Sequence, residues 1–354
     1  MPERRPRLIS IIGARPEIIQ AAPVSAALAP LAEEILVHTG QHYDDRMSEA
    51  QILDTALPRP RYNLGVGSRG REEQVELAQS RLADVIAEER PDAIIVRGDT
   101  NATLSGARAA VAAGVPLVHV EAGLRSYRDD MPEEGNRIET DRLADLLLAP
   151  TPGARDNLIA EGVAGRVEVT GDPLCDTLER SRADIVPAAG EYLLATVHRN
   201  YNTDAPDRLQ LVLDCLARSP WRVIFPVHPR TRAALATWKL TVPGNTDLVD
   251  PVDYTRMLEL ERGAQAIATD SGGVQREAYL WGVPCLTLRE ETEWVDTVAA
   301  GWNVLVGVDP EAFAAGLLRP RPAERPPIFG DGRAAHRIAE LVVALACSEL
   351  EEAA

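Results

Sequence analysis

The chain has 354 residues, a net charge of −17, 45% hydrophobic residues and 4% aromatic ones. That length favours two domains, with one as the fallback. The acidic balance argues against a duplex-binding face, and the few aromatics leave little material for stacking on single-stranded nucleic acid. An anionic ligand then needs a local positive pocket.

Short apolar runs alternate with longer amphipathic stretches. LISII (8–12) reads as a strand, PEIIQAAPVSAAL (16–28) as a helix and EILVH (34–38) as a second strand. In REEQVELAQSRLADVIAEER (71–90), Val75, Ala78, Leu82, Val85 and Ile86 recur on one face, which predicts a helix. AIIV (93–96) is a strand, NATLSGARAAVAAG a helix and PLVHV (116–120) a strand; DRLADLLLAP (141–150) ends in another, and one more lies at 167–169. The rhythm then restarts. YLLATV (192–197), RVIFPV (222–227), DLV (247–249), QAIAT (265–269) and PCLTL (284–288) are strands, with DRLQLVLDCLARS and SGGVQREAYLWG as helices between them. This predicts an α/β fold of two doubly wound parallel sheets, with a border within 169–192. RPRPAERPP (319–327) is a proline-rich connector before a final amphipathic helix. Two such sheets facing each other form a cleft, and ligands in these folds sit at the carboxyl ends of strands.

The start, MPERRPRLISIIGARPE, has too short an apolar run for a signal peptide, and no segment approaches a membrane span. Cys175, Cys215, Cys285 and Cys347 lie far apart, without metal-like spacing, and read as small buried hydrophobes in a reducing cytoplasm. Lys239 is the single lysine, in an unremarkable setting, which argues against pyridoxal phosphate chemistry. No GxGxxG occurs, so NAD is not inferred.

The residues that follow each strand are therefore the informative ones. After LISII, Gly13 makes the turn and Arg15 sits at a helix N-terminus, where free backbone N–H groups favour an anion. After AIIV, Asp99 precedes a helix; Asp99 or Thr100 would serve as its N-cap. After PLVHV comes Glu121, a poor cap and a residue seldom buried unpaired, which points to function or to an ion pair with Arg125 or Arg137. MPEEGNR brings Glu133 and Arg137 to a helix entrance, where Glu133 complements the helix dipole. In the second half His198 and Arg199 follow one strand and His228 another. In ATDSGGVQREA, Ser271, Gly272 and Gly273 open a helix; two glycines there weaken the helix start for no structural gain, which favours close approach of a diphosphate. Glu277, one turn in, is placed to accept from ribose hydroxyls.

In order, GARPE, GQH, RGDT, HVEAGLRS, MPEEGNR, HRNYNTD, PVHP, TDSGGVQREA and GVPCLTLREETEW resemble the motifs of the non-hydrolysing UDP-N-acetylglucosamine 2-epimerases, from about residue 8 to 306. The resemblance implies the GT-B architecture: a Rossmann-like domain carrying the catalytic carboxylates (1–170), a second, UDP-binding one (171–330), and a C-terminal helix (331–354) packing back toward the first. It implies a cytoplasmic homodimer that uses neither NAD nor a metal, binds no nucleic acid or membrane, and feeds surface polysaccharide synthesis. A base takes the carbon-2 proton of UDP-GlcNAc as UDP leaves carbon 1. The resulting 2-acetamidoglucal is reprotonated on its other face, and UDP re-adds to give UDP-ManNAc. Asp99, Glu121 and Glu133 then handle protons and His198 assists near the diphosphate. Arg15, Arg137, His228, Ser271, Gly272, Gly273 and Glu277 fall at UDP-binding positions, and Gln41 and His42 at an allosteric site of some members. Two carboxylates about 4 Å apart repel by about 4 kcal/mol at an effective dielectric of about 20, enough to keep one protonated near neutral pH.

There are departures. Gln20 stands where many members carry lysine, Tyr201 at a usually acidic position and Gly135 where alanine or isoleucine is common. REETEWVDTVAAGWN also resembles branches acting on UDP-2,3-diacetamido uronic acids. The rival functions are a retaining GT-B glycosyltransferase, a hydrolysing epimerase and a catalytically dead UDP-sugar sensor.

Overall fold

The structure is a computed structural model that describes residues 4–40, 57–67, 69–128 and 131–352. It divides into two compact units, residues 1–180 with 327–354, and residues 181–326.

In the first unit the chain runs β1 (Arg7–Ile12), α1 (Arg15–Leu28), β2 (Glu33–His38), β3 (Tyr62–Asn63), α2 (Arg71–Glu89), β4 (Ala93–Arg97) and α3 (Asn101–Ala113). It continues through β5 (Leu117–Val120), α4 (Pro132–Leu143), β6 (Leu146–Ala149), α5 (Pro152–Glu161), β7 (Arg166–Val169) and α6 (Pro173–Ser181). The strands form a parallel sheet in the order β3-β2-β1-β4-β5-β6-β7. β1, β4, β5 and β6 read as near-continuous apolar runs because helices cover both faces of the sheet. The apolar stripe expected on α2 is buried at Val75, Ala78, Leu82, Val85 and Ile86.

The second unit repeats the plan: β8 (Tyr192–Thr196), α7 (Asn200–Thr203), α8 (Pro206–Ala217), β9 (Arg222–Pro226), α9 (Pro229–Trp238), β10 (Thr246–Val249) and α10 (Tyr254–Gly263). Then come β11 (Ala266–Thr269), α11 (Gly272–Trp281), β12 (Cys285–Thr287), α12 (Val295–Ala299), β13 (Asn303–Leu305) and α13 (Pro310–Leu317). Its parallel sheet has the order β10-β9-β8-β11-β12-β13. One face packs Leu193 and Phe225 against Val212, Leu216 and Phe313; the other packs Leu194 and Ile267 against Leu260 and Ala278. The α/β class of two doubly wound parallel sheets, expected from the βα rhythm, is present. β3 and β13 were not expected; strands of two and three residues are too short for a periodic signal.

After residue 326 the chain rejoins the first unit. Its last helix, α14 (Ala334–Glu352), sinks Ala335, Ile338, Ala339, Val342 and Ala346 into the core formed by Leu8, Ile95, Val118 and Leu148. Asp176 on α6 supplies the N-terminal cap: its carboxylate accepts from Ala334 N and Ala335 N at 3.0 Å each. Removing that acceptor with Asp176→Ala should cost about 1 kcal/mol locally, so amide exchange over 334–352 rises about fivefold while exchange in the second sheet stays unchanged. Unaltered exchange in α14 would show that core packing alone sets its position.

Candidate active site

In each sheet the strand order reverses beside the first strand, between β1 and β4 and between β8 and β11. The carboxyl ends of strands at such a point are where doubly wound folds bind ligands. Arg15 and Asp99 follow β1 and β4, Glu121 follows the neighbouring β5, His198 and Ser271 follow β8 and β11, and His228 follows β9.

In the first unit Thr100, not Asp99, caps α3, its side chain accepting from Ala102 N at 3.1 Å. The half-buried Asp99 carboxylate is thereby left to pair with buried Arg137 on α4. Arg137 also reaches Glu134 at 2.5 Å. Asn136 donates to the Asp99 carbonyl at 2.9 Å, so α4 holds both backbone and side chain of Asp99. Glu134 in turn accepts from Ser126 N, Ser126 Oγ and Tyr127 N at 2.8–3.1 Å, which ties the loop after β5 to the first turn of α4. Burial opposes ionisation of Glu134, but the Ser126 N–H and Arg137 outweigh it and hold the carboxyl below its usual range. Glu133, the adjacent residue, is half-buried in the same turn.

Glu121 has a φ of 69°, a left-handed conformation that costs a side-chain-bearing residue about 1–3 kcal/mol. Bonds from Glu121 N and Ala122 N to the Leu148 carbonyl, at 3.1 and 3.2 Å, hold the turn. The turn directs the Glu121 carboxylate back toward β4, where a Cβ added to Gly98 would lie 4.0 Å from Oε1. Glu121 Oε1 thus lies beside Gly98, the residue before Asp99. Arg137 pairs with Asp99 and Glu134, Arg125 pairs with Asp141 and Glu161, and Glu121 accepts from buried Gln20 of α1.

The turn after β1 also departs from expectation. Its N–H groups at Gly13 and Ala14 are not open to an anion, because Glu17 of the same helix accepts them at 2.5 and 2.7 Å. Glu17 further accepts from Thr100 and Thr103 hydroxyls at 2.7 and 3.1 Å, joining the turns after β1 and β4. Burial pushes the Glu17 carboxyl up, opposed by those donors. Arg15, half-buried, opens α1 in the same turn. Gln41 and His42 lie outside the described residues.

In the second unit Asp270, which sequence reasoning passed over, organises the site. It is fully buried and accepts from His198 N and Arg199 N at 3.0–3.1 Å and from Asn202 Nδ2 at 3.0 Å. The half-buried His198 ring has Nδ1 3.5 Å from Asp270 and its centroid 6.1 Å from that of His228. His228 caps α9 by accepting from Arg230 N at 3.2 Å. Partial desolvation, then Arg230, holds its imidazole below the usual range, so it is neutral at pH 7. Ser271 caps α11, and Glu277 accepts from Tyr254 at 2.8 Å. Gly272 does have a packing reason, contrary to expectation: a Cβ there would lie 2.5 Å from Glu293 Oε1 and 3.0 Å from Trp294 Nε1. Gly273 meets nothing closer than 3.7 Å and keeps that surface low. Fully buried Arg289, which follows β12, holds Glu293 at 2.9 Å and Glu291 at 3.3 Å. Burial also pushes the Tyr201 phenol above its usual range, so it is a neutral residue of this loop set. Among the described residues no three His, Cys, Asp or Glu side chains are grouped to hold a metal, and no helix is long and apolar enough to cross a membrane.

Comparison with known proteins accords with this arrangement. The family model described as UDP-N-acetylglucosamine 2-epimerase matches residues 27–343. The UDP-N-acetylglucosamine 2-epimerase homolog of Methanococcus maripaludis is 40% identical, over 95% of this chain and 99% of that protein. The UDP-2,3-diacetamido-2,3-dideoxy-D-glucuronate 2-epimerase of Pseudomonas aeruginosa is 39% identical, over 96% of this chain and 100% of that protein. The crystal structure of Methanocaldococcus jannaschii UDP-GlcNAc 2-epimerase in complex with UDP-GlcNAc and UDP superposes with a TM-score of 0.87 at 36% identity, covering 96% of this chain and 99% of that one. This chain therefore belongs to the UDP-N-acetylglucosamine 2-epimerase family and is a UDP-sugar 2-epimerase, an isomerase.

Proposed function

We propose that the protein interconverts UDP-GlcNAc and UDP-ManNAc by eliminating and re-adding UDP, and that this supplies surface polysaccharide synthesis. One carboxylate takes the carbon-2 proton. The electrons of that C–H bond form the carbon 1–carbon 2 double bond as the carbon 1–oxygen bond breaks, and UDP leaves with that bond's electron pair. A second acid returns a proton to the opposite face of the 2-acetamidoglucal while UDP re-adds to carbon 1. Asp99, Glu121 and Glu133 handle the protons. His198 steadies the departing diphosphate, with Arg15, Arg137, His228, Ser271, Gly272, Gly273 and Glu277 as UDP-binding residues and Gln41 and His42 as an allosteric pair. The protein acts as a cytoplasmic homodimer.

The observation that carries this reading is the placement of Glu121 Oε1 beside Gly98, the residue before Asp99, at the carboxyl ends of adjacent strands. A retaining glycosyltransferase needs no such carboxylate set. Their neighbours differ: Asp99 faces the Arg137 guanidinium, whereas Glu121 faces the neutral Gln20 amide.

A second reading has a specific support of its own. The Pseudomonas aeruginosa relative, named for a diacetamido glucuronate substrate, is 39% identical to this chain, against 40% for the Methanococcus maripaludis relative. Proton NMR in deuterium oxide, without NAD, metal or acceptor, decides between them. With UDP-GlcNAc, loss of the carbon-2 proton signal and growth of UDP-ManNAc is expected. No exchange with UDP-GlcNAc but exchange with the diacetamido uronate moves the protein to the second reading.

Asp99→Asn, Glu121→Gln and Glu133→Gln should each abolish epimerisation while UDP affinity stays within about tenfold, or roughly 1.4 kcal/mol. Full activity in all three variants would sink the mechanism. Gln20→Lys replaces a neutral donor to Glu121 with a cation, which lowers the carboxyl's proton affinity. Whichever limb of the kcat–pH profile Glu121 governs should move to lower pH by about one unit or more. Movement of the acid limb marks Glu121 as the base and movement of the alkaline limb marks it as the acid. A profile with both limbs unmoved would remove Glu121 from the proton transfer.

A further inference from the structure

His119 lies on β5 two residues before Glu121 and is fully buried. Its Nδ1 is 2.7 Å from Asp141 Oδ1, and its Nε2 is 2.8 Å from the carbonyl oxygen of Gly98. A carboxylate and a carbonyl can only accept, so a neutral ring would set a nitrogen lone pair against an oxygen lone pair at one of these contacts. The ring satisfies both by donating from both nitrogens, as an imidazolium. The charge is balanced within a buried chain: Asp141 also takes Arg125 Nη1 at 2.7 Å and Gly123 N at 3.2 Å, and Arg125 makes paired bonds to Glu161 at 2.7 Å each. Two cations thus alternate with two carboxylates, so no charge in the chain is buried alone.

This chain reaches the proposed proton-handling residues through backbone. Gly98 is the residue before Asp99, its φ of 64° makes the turn out of β4, and its N–H donates to Val120 O at 3.0 Å. With its carbonyl held by His119, the Gly98 peptide is fixed from both sides by β5, the strand that ends in Glu121.

We propose that His119 is a positioning residue for the epimerisation: a buried imidazolium that clamps the end of β4 to β5 and so sets the spacing of Asp99 and Glu121. The inference rests on the proton-handling roles given above to those two carboxylates.

The test uses the full-length enzyme. Asparagine places its amide near the Nδ1 position and cannot reach Gly98, whereas glutamine places an amide near the Nε2 position and can. His119→Asn should lower kcat by about 10–100-fold with KM within about threefold, and His119→Gln should recover much of that loss. Side-chain nitrogen NMR of the histidine-labelled wild-type enzyme should show both His119 nitrogens carrying protons at the assay pH. That spectrum reports on the clamp even where a variant does not fold or the substrate has been misassigned. Absence of carbon-2 exchange by the wild-type enzyme on either substrate would fail the functional reading, and the spectrum would still decide the state of His119. A single protonated ring nitrogen, wild-type kcat in His119→Asn, or equal losses in kcat and in affinity would overturn the proposal.

Discussion

Arg137 stands between two carboxylates, and the carboxyl-end loops of the first sheet are arranged around that fact. A buried guanidinium is tolerated only with its charge answered and its donors used. Asp99 and Glu134 answer it from different elements, so the pairing joins the end of β4, the loop after β5 and the first turn of α4. A hydrogen bond or ion pair that closes such loops does more for geometry than for net stability. Here it fixes where Asp99 points, and the strained turn at Glu121 brings that carboxylate beside Gly98, the residue before Asp99.

The second unit solves a similar problem with an anion. Asp270 leaves β11 fully buried and gathers the N–H groups of His198 and Arg199 together with the Asn202 amide, so the loop after β8 is shaped by one carboxylate. Around the start of α11, Arg289 holds Glu293, and Glu293 lies against Gly272. In both units, then, the charges that shape a loop are buried, whereas Asp99, Glu133, Arg15 and His198 lie nearer solvent.

The strands and most helices were legible because a parallel sheet covered on both faces writes itself as separated apolar runs. Charged residues placed directly after those runs marked Asp99, Glu121 and His198. What stayed hidden was pairing at a distance. Nothing in the spacing of GARPE says that Glu17 turns back to take the N–H groups of Gly13 and Ala14, which closes the anion site expected there. Gly272 looked dispensable as a helix opener because Glu293 and Trp294, which crowd it, are some twenty residues away in sequence. Arg125 lies four residues from Glu121 and Arg137 sixteen, and only the fold shows that Arg125 pairs with Asp141 and Glu161 and Arg137 with Asp99 and Glu134. Asp270 carried a usable signal: an acidic residue at a strand end whose next residue, Ser271, already serves as the cap.

The departures from the family pattern bear on chemistry more than on folding. Gln20, standing where many members carry lysine, is buried and engages Glu121 through an uncharged amide. Glu121 thus faces a neutral amide, whereas Asp99 is held by the Arg137 guanidinium. In the other unit Tyr201 puts a neutral phenol among Arg289, Asp270 and Glu291, where many members place an acid. Relative to the common family pattern, both changes remove one charge, of opposite sign, so the net balance is preserved while the distribution of charge between the two units is altered. A change in charge distribution of that kind acts on discrimination between substrates more than on folding.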